Sequence, residues 1–169
     1  MDQTSVVRAA LIVALAAMLD AVVGPYLTFG WISPKLALLG VVFAVSPLRD
    51  PQAVLLGFFG GILFDALGGG LFGTGALGGL LAGTLSVRAG SVRRKGTERV
   101  LLSQVVGLAV AAYDLIYLTA INLAGMRGPS FGEYVVAGVL PDALLNALLA
   151  YLVGGRLLKL ITTKEEKWT

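Results

Sequence analysis

The chain has 169 residues, of which 57% are hydrophobic and 14% charged, and its mean hydropathy is +0.87. Soluble domains carry about a quarter charged residues, so this composition excludes that class and predicts an integral membrane protein. The chain contains no cysteine and no histidine, which removes thiolate nucleophiles, histidine acid–base chemistry and the usual transition-metal ligands. No cofactor is expected, and the length allows roughly six spans of about 20 residues each.

The apolar segments follow one another with short connections, which predicts one all-α transmembrane domain over residues 1–169. The SPLRDP sequence, Ser46–Pro51, closes the second span because prolines and charges break a buried helix. The glycines at Gly68–Gly70 predict a tight turn that makes the third and fourth spans a helical hairpin. The predicted spans are 6–29, 34–45, 53–67, 71–87, 100–124 and 131–158, with a basic loop at 88–99.

The basic residues predict how the six spans are oriented. With the amino terminus inside, eleven of the 13 Lys and Arg residues fall on the cytoplasmic side, and only Lys35 and Arg127 fall outside. This positive-inside bias predicts that both termini are cytoplasmic. Because the basic residues stand at span ends, they indicate orientation and not nucleic-acid binding. The inner set is Arg8, Arg49, Arg88, Arg93, Arg94, Lys95, Arg99, Arg156, Lys159, Lys164 and Lys167.

Four aspartates lie within the predicted spans, at Asp20, Asp65, Asp114 and Asp142. At about 1.5 Å per helical residue, all four come out between the midplane and the outer boundary of the bilayer. A charge at membrane depth costs at least a few kcal/mol, so each carboxylate is expected to face protein, water or a partner. Apart from basic residues at the span ends, no Lys or Arg is predicted inside the spans to pair with them.

The residue types leave several roles open for these aspartates. Each carboxylate can cap a broken helix or accept hydrogen bonds from neighbouring backbone. The group can instead line an outward-opening polar pocket, with Tyr113 and Tyr117 beside Asp114, or contact a partner's transmembrane helix. A proton or cation conduit is disfavoured because the predicted inner half holds only Gln104 and Ser103. Catalysis is disfavoured because nothing supplies substrate recognition, so the chain is predicted not to be an enzyme.

Glycines recur at intervals of four in the third and fourth predicted spans. Gly57 and Gly61 form one GxxxG step, and Gly75, Gly79 and Gly83 form two more. Small residues at this spacing let transmembrane helices approach closely, so the two spans are predicted to pack tightly. Packing within the monomer and binding of another membrane protein both fit this stripe.

The only strongly charged internal segment is the predicted loop at 88–99, which carries Arg88, Arg93, Arg94, Lys95 and Arg99. A basic loop of this kind commonly orients the chain and touches anionic lipid. It can also meet a cytoplasmic partner, and the sequence does not separate the two interpretations.

Three motifs, in order, resemble the MreD family of bacterial rod shape-determining membrane proteins. Pro34-Lys35-Leu36 is similar to the Pro-x-Leu opening of the family's second span, and Pro141–Tyr151 is similar to its closing motif, with Asn146 in the asparagine position. The glycine-spaced signature is matched by Gly57, Gly61, Asp65, Gly68 and Gly73. The chain departs from the family pattern by placing Asp142 directly after Pro141 and by its glycine-rich turn.

The resemblance implies a non-enzymatic scaffold in the bacterial inner membrane. Members of the family associate with MreC, and through it with the RodA glycosyltransferase, its penicillin-binding transpeptidase and MreB filaments, to help position peptidoglycan synthesis. The implied fold is similar to the S components of energy-coupling-factor vitamin transporters. The expected structural and interaction core is Gly57, Gly61, Asp65, Gly68, Gly73, Asp114, Pro141 and Asn146.

That fold similarity gives the alternative hypothesis, a vitamin-binding S component with an outward pocket at mid-depth. The residues available to hold a vitamin are few, namely Tyr113, Tyr117, Asn122 and Asn146. A third hypothesis is a small ion-coupled carrier that depends on Asp65.

Overall fold

Helices form most of the backbone in a computed structural model of the chain, which describes residues 3–68, 71–92, 97–126 and 128–162. The helices are α1 (Gln3–Val23), α2 (Leu36–Val45), α3 (Asp50–Gly68), α4 (Thr74–Val92), α5 (Glu98–Leu123), α6 (Phe131–Tyr134) and α7 (Leu140–Thr162). A 3₁₀ turn, Gly24–Leu27, follows α1, and a π-helical turn, Val135–Val139, joins α6 to α7. These described residues contain no β-strand, so the predicted all-α class is confirmed.

Four helical segments of the described chain are long and apolar enough to cross a membrane. They are Ser5–Leu27, Asp50–Gly68, Glu98–Leu123 and Phe131–Leu157. The second predicted span, by contrast, forms a helix of only 10 residues. Such a helix is about 15 Å long, half the thickness of a typical hydrocarbon core of about 30 Å. The count of six spans therefore stays a prediction.

The short helix α2 lies at the centre of the bundle. Every residue from Ala37 to Val45 is buried, and the helix contacts α1, α3, α4, α5 and α7. Its sequence, LALLGVVFAV, is apolar on all sides, which suits complete burial. The largest fully buried side chain of the described residues, Phe43, belongs to this helix.

Helix α1 has one face toward the bundle and one face away from it. Ala9, Val13 and Ala17 recur every four residues and are buried. The opposite face is apolar and exposed, as expected for a surface in contact with lipid rather than water. Its large exposed side chains are Val7, Leu11, Leu15, Met18, Leu19 and Val22.

The predicted glycine-packed hairpin is present between α3 and α4. A Cβ atom added at Gly57 would overlap the carbonyl oxygen of Gly79, and one at Gly61 would overlap the carbonyl oxygen of Gly75. At Gly83 it would meet the Ala53 carbonyl oxygen at 2.6 Å. The residue pairs run in opposite directions along the two helices, so the hairpin is antiparallel and its backbones touch. The described part of the turn includes Gly68, while Gly69 and Gly70 lie outside the described residues.

The predicted basic loop at 88–99 is shorter in the structure because both flanking helices extend into it. Arg88 lies in α4 and Arg99 in α5. The guanidinium of Arg99 stands 5.5 Å from the ring centroid of Tyr151 on α7, in cation–π contact. Arg93, Arg94 and Lys95 lie outside the described residues. The Arg99 end of the segment therefore packs on the bundle.

Pro141 lies in the first turn of α7, immediately after the π-helical turn Val135–Val139. Proline has no amide hydrogen, and its ring collides with the carbonyl four residues earlier in a regular α-helix. The π-helical turn widens the helix directly ahead of the proline, where that carbonyl lies. Helix α7 continues to Thr162, so the proline does not end the sixth predicted span.

Candidate functional site

Five polar side chains from three parts of the chain meet inside the bundle, and we call them the Lys35 cluster. Ser33 and Lys35 lie in the segment just before α2, Asp114 lies on α5, and Asp142 and Asn146 lie one turn apart on α7. Lys35, Asp114, Asp142 and Asn146 are all buried. The cluster ties the start of α2 to two of the longest helices.

Lys35 is the cation of this cluster. Its Nζ atom lies 2.6 Å from Asp142 Oδ2 and 3.3 Å from Asp114 Oδ1, and it donates a hydrogen bond of 3.0 Å to Ser33 Oγ. The ring of Tyr113 stands 5.4 Å from the same nitrogen. The prediction that no basic residue pairs with the buried aspartates is therefore wrong. Lys35 lies immediately before α2, and its ammonium points into the bundle between Asp142 and Asp114.

Asp142 is saturated with hydrogen-bond donors and is fully buried, with 0% exposure. Its Oδ1 atom accepts from the backbone amide of Ser33 at 3.0 Å and from Asn146 Nδ2 at 2.9 Å, while Oδ2 accepts from Lys35. Asn146 also donates to the backbone carbonyl of Ser33 at 3.0 Å and accepts from the Lys35 amide at 2.7 Å. Both residues therefore hold the backbone ahead of α2.

Amide hydrogens at a helix start have no intrahelical partner, and no water reaches them at membrane depth. Around the start of α2, the amides of Ser33, Lys35 and Ala37 bond to side chains of other helices. The third of these bonds, 3.3 Å long, goes to Asp20 Oδ2 on α1. Asp20, Asp142 and Asn146 thus satisfy the backbone of a helix that begins inside the protein.

Asp65 performs the same task for α4, from the end of α3. Its Oδ1 accepts from the amide of Gly75 at 2.8 Å, and its Oδ2 accepts from Gly73 at 2.8 Å and Ala76 at 3.1 Å. The other amides of this first turn, Thr74 and Leu77, bond to backbone carbonyls. We call this arrangement the Asp65 cap. Gly73 has φ +102°, a left-handed conformation that favours glycine.

Aromatic side chains connect the Asp65 cap to the Lys35 cluster. The ring of Tyr113 on α5 meets Phe64 edge-on at 5.8 Å and stacks on Tyr117 at 6.3 Å between centroids. It also covers the Lys35 ammonium. Six of the eight expected core residues therefore fall into two neighbouring groups, while Gly68 ends α3 and Pro141 lies in the first turn of α7. Gly57, Gly61 and Gly73 accompany Asp65, whereas Asp114 and Asn146 accompany Lys35.

Two open grooves flank this interior. One, of about 430 Å³, is lined mainly by apolar residues of α3, α4 and α5, among them Phe58, Leu77 and Ile116. The other, of about 470 Å³, lies between the α2–α3 connection and the end of α4 and includes Arg49 and Arg88. Neither groove is lined by the aspartates of the Lys35 cluster.

A family model described as "rod shape-determining protein MreD" matches residues 2–162. The chain belongs to the MreD family. It is thus a rod shape-determining membrane protein by family, in agreement with the resemblance of its motifs and with its apolar helices. No curated protein and no solved structure matches the chain significantly. The likeness of the fold to vitamin-transporter S components stays a prediction.

Lys35 and Ser33 are the cluster residues that the sequence did not predict for a polar site, and Lys35 lies within an MreD-like motif. Lys35 occupies the variable position of the Pro34-Lys35-Leu36 opening, and Ser33 precedes it. The signal available was the short second predicted span, whose 10-residue helix has its start inside the bundle. A buried basic residue at that start needs acidic partners, and the four predicted buried aspartates were the candidates. The packing shows that Asp114 and Asp142 are the partners.

Proposed function

We propose that this MreD-family chain is a non-enzymatic scaffold of the rod-shape complex. In this proposal it binds an MreC-type membrane protein and, through it, RodA, its penicillin-binding transpeptidase and MreB filaments. It thereby helps to position peptidoglycan synthesis at the inner membrane. The observation that carries the proposal is the family match over residues 2–162.

The use of the buried polar groups supports a structural role. Asp20, Asp65 and Asp142 each accept backbone amides of another part of the chain. Asp142 and Asn146 are fully buried, with 0% exposure. Carboxylates engaged in this way stabilise the backbone of discontinuous helices rather than present themselves to a substrate.

We further propose six spans with both termini in the cytoplasm. Helix α4 has 19 residues, the same number as α3, and it packs against α3 along its length. A helix of that size is about 28 Å long, close to the thickness of the hydrocarbon core. The segment before α2 completes the second crossing in this arrangement, with its backbone bonded to α1 and α7.

Cysteine labelling tests this topology directly, because the chain has no cysteine of its own. Single variants Pro51→Cys and Phe72→Cys are treated in intact cells with a membrane-impermeant thiol reagent. Six spans place position 72 outside and position 51 inside. If only four segments cross the membrane, and α2 and α4 do not, position 72 lies inside and position 51 outside. Met126→Cys is the matched reference, because both arrangements place it outside.

The partner proposal is tested by co-purification from cells that express the tagged chain with MreC-type and RodA proteins. We expect the MreC-type protein to co-purify in every case and RodA to co-purify only when MreC is present. Recovery of RodA without MreC would contradict the order of contacts. Failure to recover either protein with a correctly inserted chain would overturn the scaffold proposal.

The Asp65 cap supplies a variant for the same experiment. Asp65→Leu is expected to insert in the membrane but to lose the MreC-type protein and the ability to restore rod shape, because the α3–α4 hairpin loses its register. Asp50→Asn, an exposed change on the same helix, is the control. Normal complex formation and cell shape with Asp65→Leu would show that the cap serves packing alone.

A further inference from the structure

The Lys35 cluster contains one ammonium and two carboxyl groups, so its formal charges do not sum to zero. Lys35 has three ammonium hydrogens, and three acceptors surround them, on Asp142, Asp114 and Ser33. Asp142 receives hydrogen bonds from three donors, namely the Ser33 amide, Asn146 and Lys35. Asp114, by contrast, has Lys35 as its one donor among the described bonds, so the carboxylate form of Asp142 is the better stabilised of the two. Lys35 and Asp142 therefore form the balanced pair.

Asp114 is the surplus carboxylate. It is 3% exposed, and its Oδ1 atom lies at the longer distance of 3.3 Å from Lys35. Its Oδ2 atom is buried and has no hydrogen-bond partner among the described residues. An ionised Asp114 would leave one uncompensated negative charge in an apolar interior, and an isolated buried charge is strongly unfavourable.

We propose that Asp114 binds a proton in the folded protein, so that Lys35, Asp114 and Asp142 together carry no net charge. The proton resides on Oδ2, and Oδ1 continues to accept from the Lys35 ammonium. The cluster is then a proton-binding site built from three elements of the bundle. The inference does not depend on which partners the protein has.

A metal ion fits this position less well than a proton does. The described residues contain no group of three or more acidic, histidine or cysteine side chains arranged to hold one. The ammonium of Lys35 beside Asp114 would also repel a second cation. Among the described residues, the other titratable groups that face the cluster are Asp20 on α1, Tyr113 and Tyr117 on α5, and Tyr134 on α6, while Asp65 on α3 lies near Tyr113.

Infrared spectroscopy of the purified protein in detergent at neutral pH tests the proposal, because a carboxylic acid has a C=O stretch that a carboxylate lacks. Aspartate labelled with ¹³C identifies the aspartic bands. Charge balance predicts one acid group of the cluster in the wild type, none in Asp114→Asn, none in Asp142→Asn and two in Lys35→Met. Spectra repeated in an Asp20→Asn background remove any contribution from that carboxyl, and the exposed Asp50→Asn is the matched control.

The Asp142→Asn variant is the most discriminating, because it keeps Asp114 and must still lose the band. Loss of the band there and in Asp114→Asn, with no change in Asp50→Asn, supports the proposal. A wild-type spectrum without the band, or a band that persists in Asp114→Asn, overturns it. Helical circular dichroism and elution as a single species establish that each variant is folded. If Asp114→Asn is not folded, the band in Asp142→Asn decides between the two outcomes, because it must be lost there if the proposal is right.

Discussion

Replacing Asp65 by leucine removes the acceptor of three backbone amides at the start of α4. The amides of Gly75 and Ala76 are buried, and their bonds to Asp65 are 2.8 and 3.1 Å long. Each buried donor left unsatisfied costs about 1–3 kcal/mol. The amide of Gly73 is only part-buried, so we count two donors and expect a loss of about 2–6 kcal/mol in the free energy of unfolding.

Two measurements on the purified protein test this magnitude. Unfolding in mixed micelles, followed by circular dichroism, gives the free energy of unfolding. Hydrogen exchange resolved to the first turn of α4 shows whether Gly75 and Ala76 lose their protection. Asp65→Asn keeps one acceptor oxygen and should lose less stability than the leucine variant. Asp50→Asn, exposed in the first turn of α3, should change stability by about 1 kcal/mol at most, through the helix dipole.

The reasoning fails if Asp65→Leu unfolds within about 1 kcal/mol of the wild type and keeps slow exchange at Gly75 and Ala76. That outcome would mean that other groups satisfy these amides when the carboxylate is gone. A uniform loss of protection along the whole chain would also contradict the local role of the cap, because the perturbed bonds all lie at one helix start.

Three further substitutions extend the test to other parts of the bundle. Gly61→Ala should lower the free energy of unfolding by about 1–3 kcal/mol, because its Cβ would overlap the backbone of α4. Gly68→Ala should change stability little, because its Cβ would meet only the Phe64 side chain, at 3.9 Å. Equal losses in the unfolding assay would contradict the close approach of the two helices. Asn146→Ala should cost about 1–3 kcal/mol in the same assay, since the buried Lys35 amide loses its acceptor, and a change below about 1 kcal/mol would refute that role. Pro141→Ala should let the preceding π-helical turn relax toward a regular helix, seen as slower hydrogen exchange there; unchanged exchange would show that the proline does not cause the π-turn.

The α3–α4 hairpin could be predicted from the sequence because its cause is local. Backbones touch only where side chains are absent, and the four-residue spacing of Gly57 and Gly61 places both on one helix face. The same spacing at Gly75 and Gly79 supplies the facing surface. The structure pairs these glycines directly. The all-α class could be predicted from the apolar composition, because a segment in lipid must bond its backbone groups internally, as a helix does.

The Lys35 cluster could not be predicted from the sequence, because Lys35 is more than 70 residues along the chain from both of its acidic partners, Asp114 and Asp142. A lysine at the end of an apolar segment looks the same whether it extends to the membrane surface or points into the bundle. The positive-inside count places Lys35 at the outer boundary, whereas the structure buries it between Asp114 and Asp142. Only the packing of α5 and α7 around the start of α2 distinguishes the two positions.

The short length of α2 explains why this membrane protein contains so many buried polar groups. A 10-residue helix leaves its start, and the non-helical segment ahead of it, within the protein. The amides there must bond to side chains, because the bilayer interior offers no water. Asp20, Asp142 and Asn146 supply those acceptors, and Lys35 then balances the charge that Asp142 brings. Asp114 accepts no backbone amide among the described bonds. The need to satisfy the backbone therefore does not explain why an acidic residue stands at this position, and the infrared experiment examines whether it holds a proton.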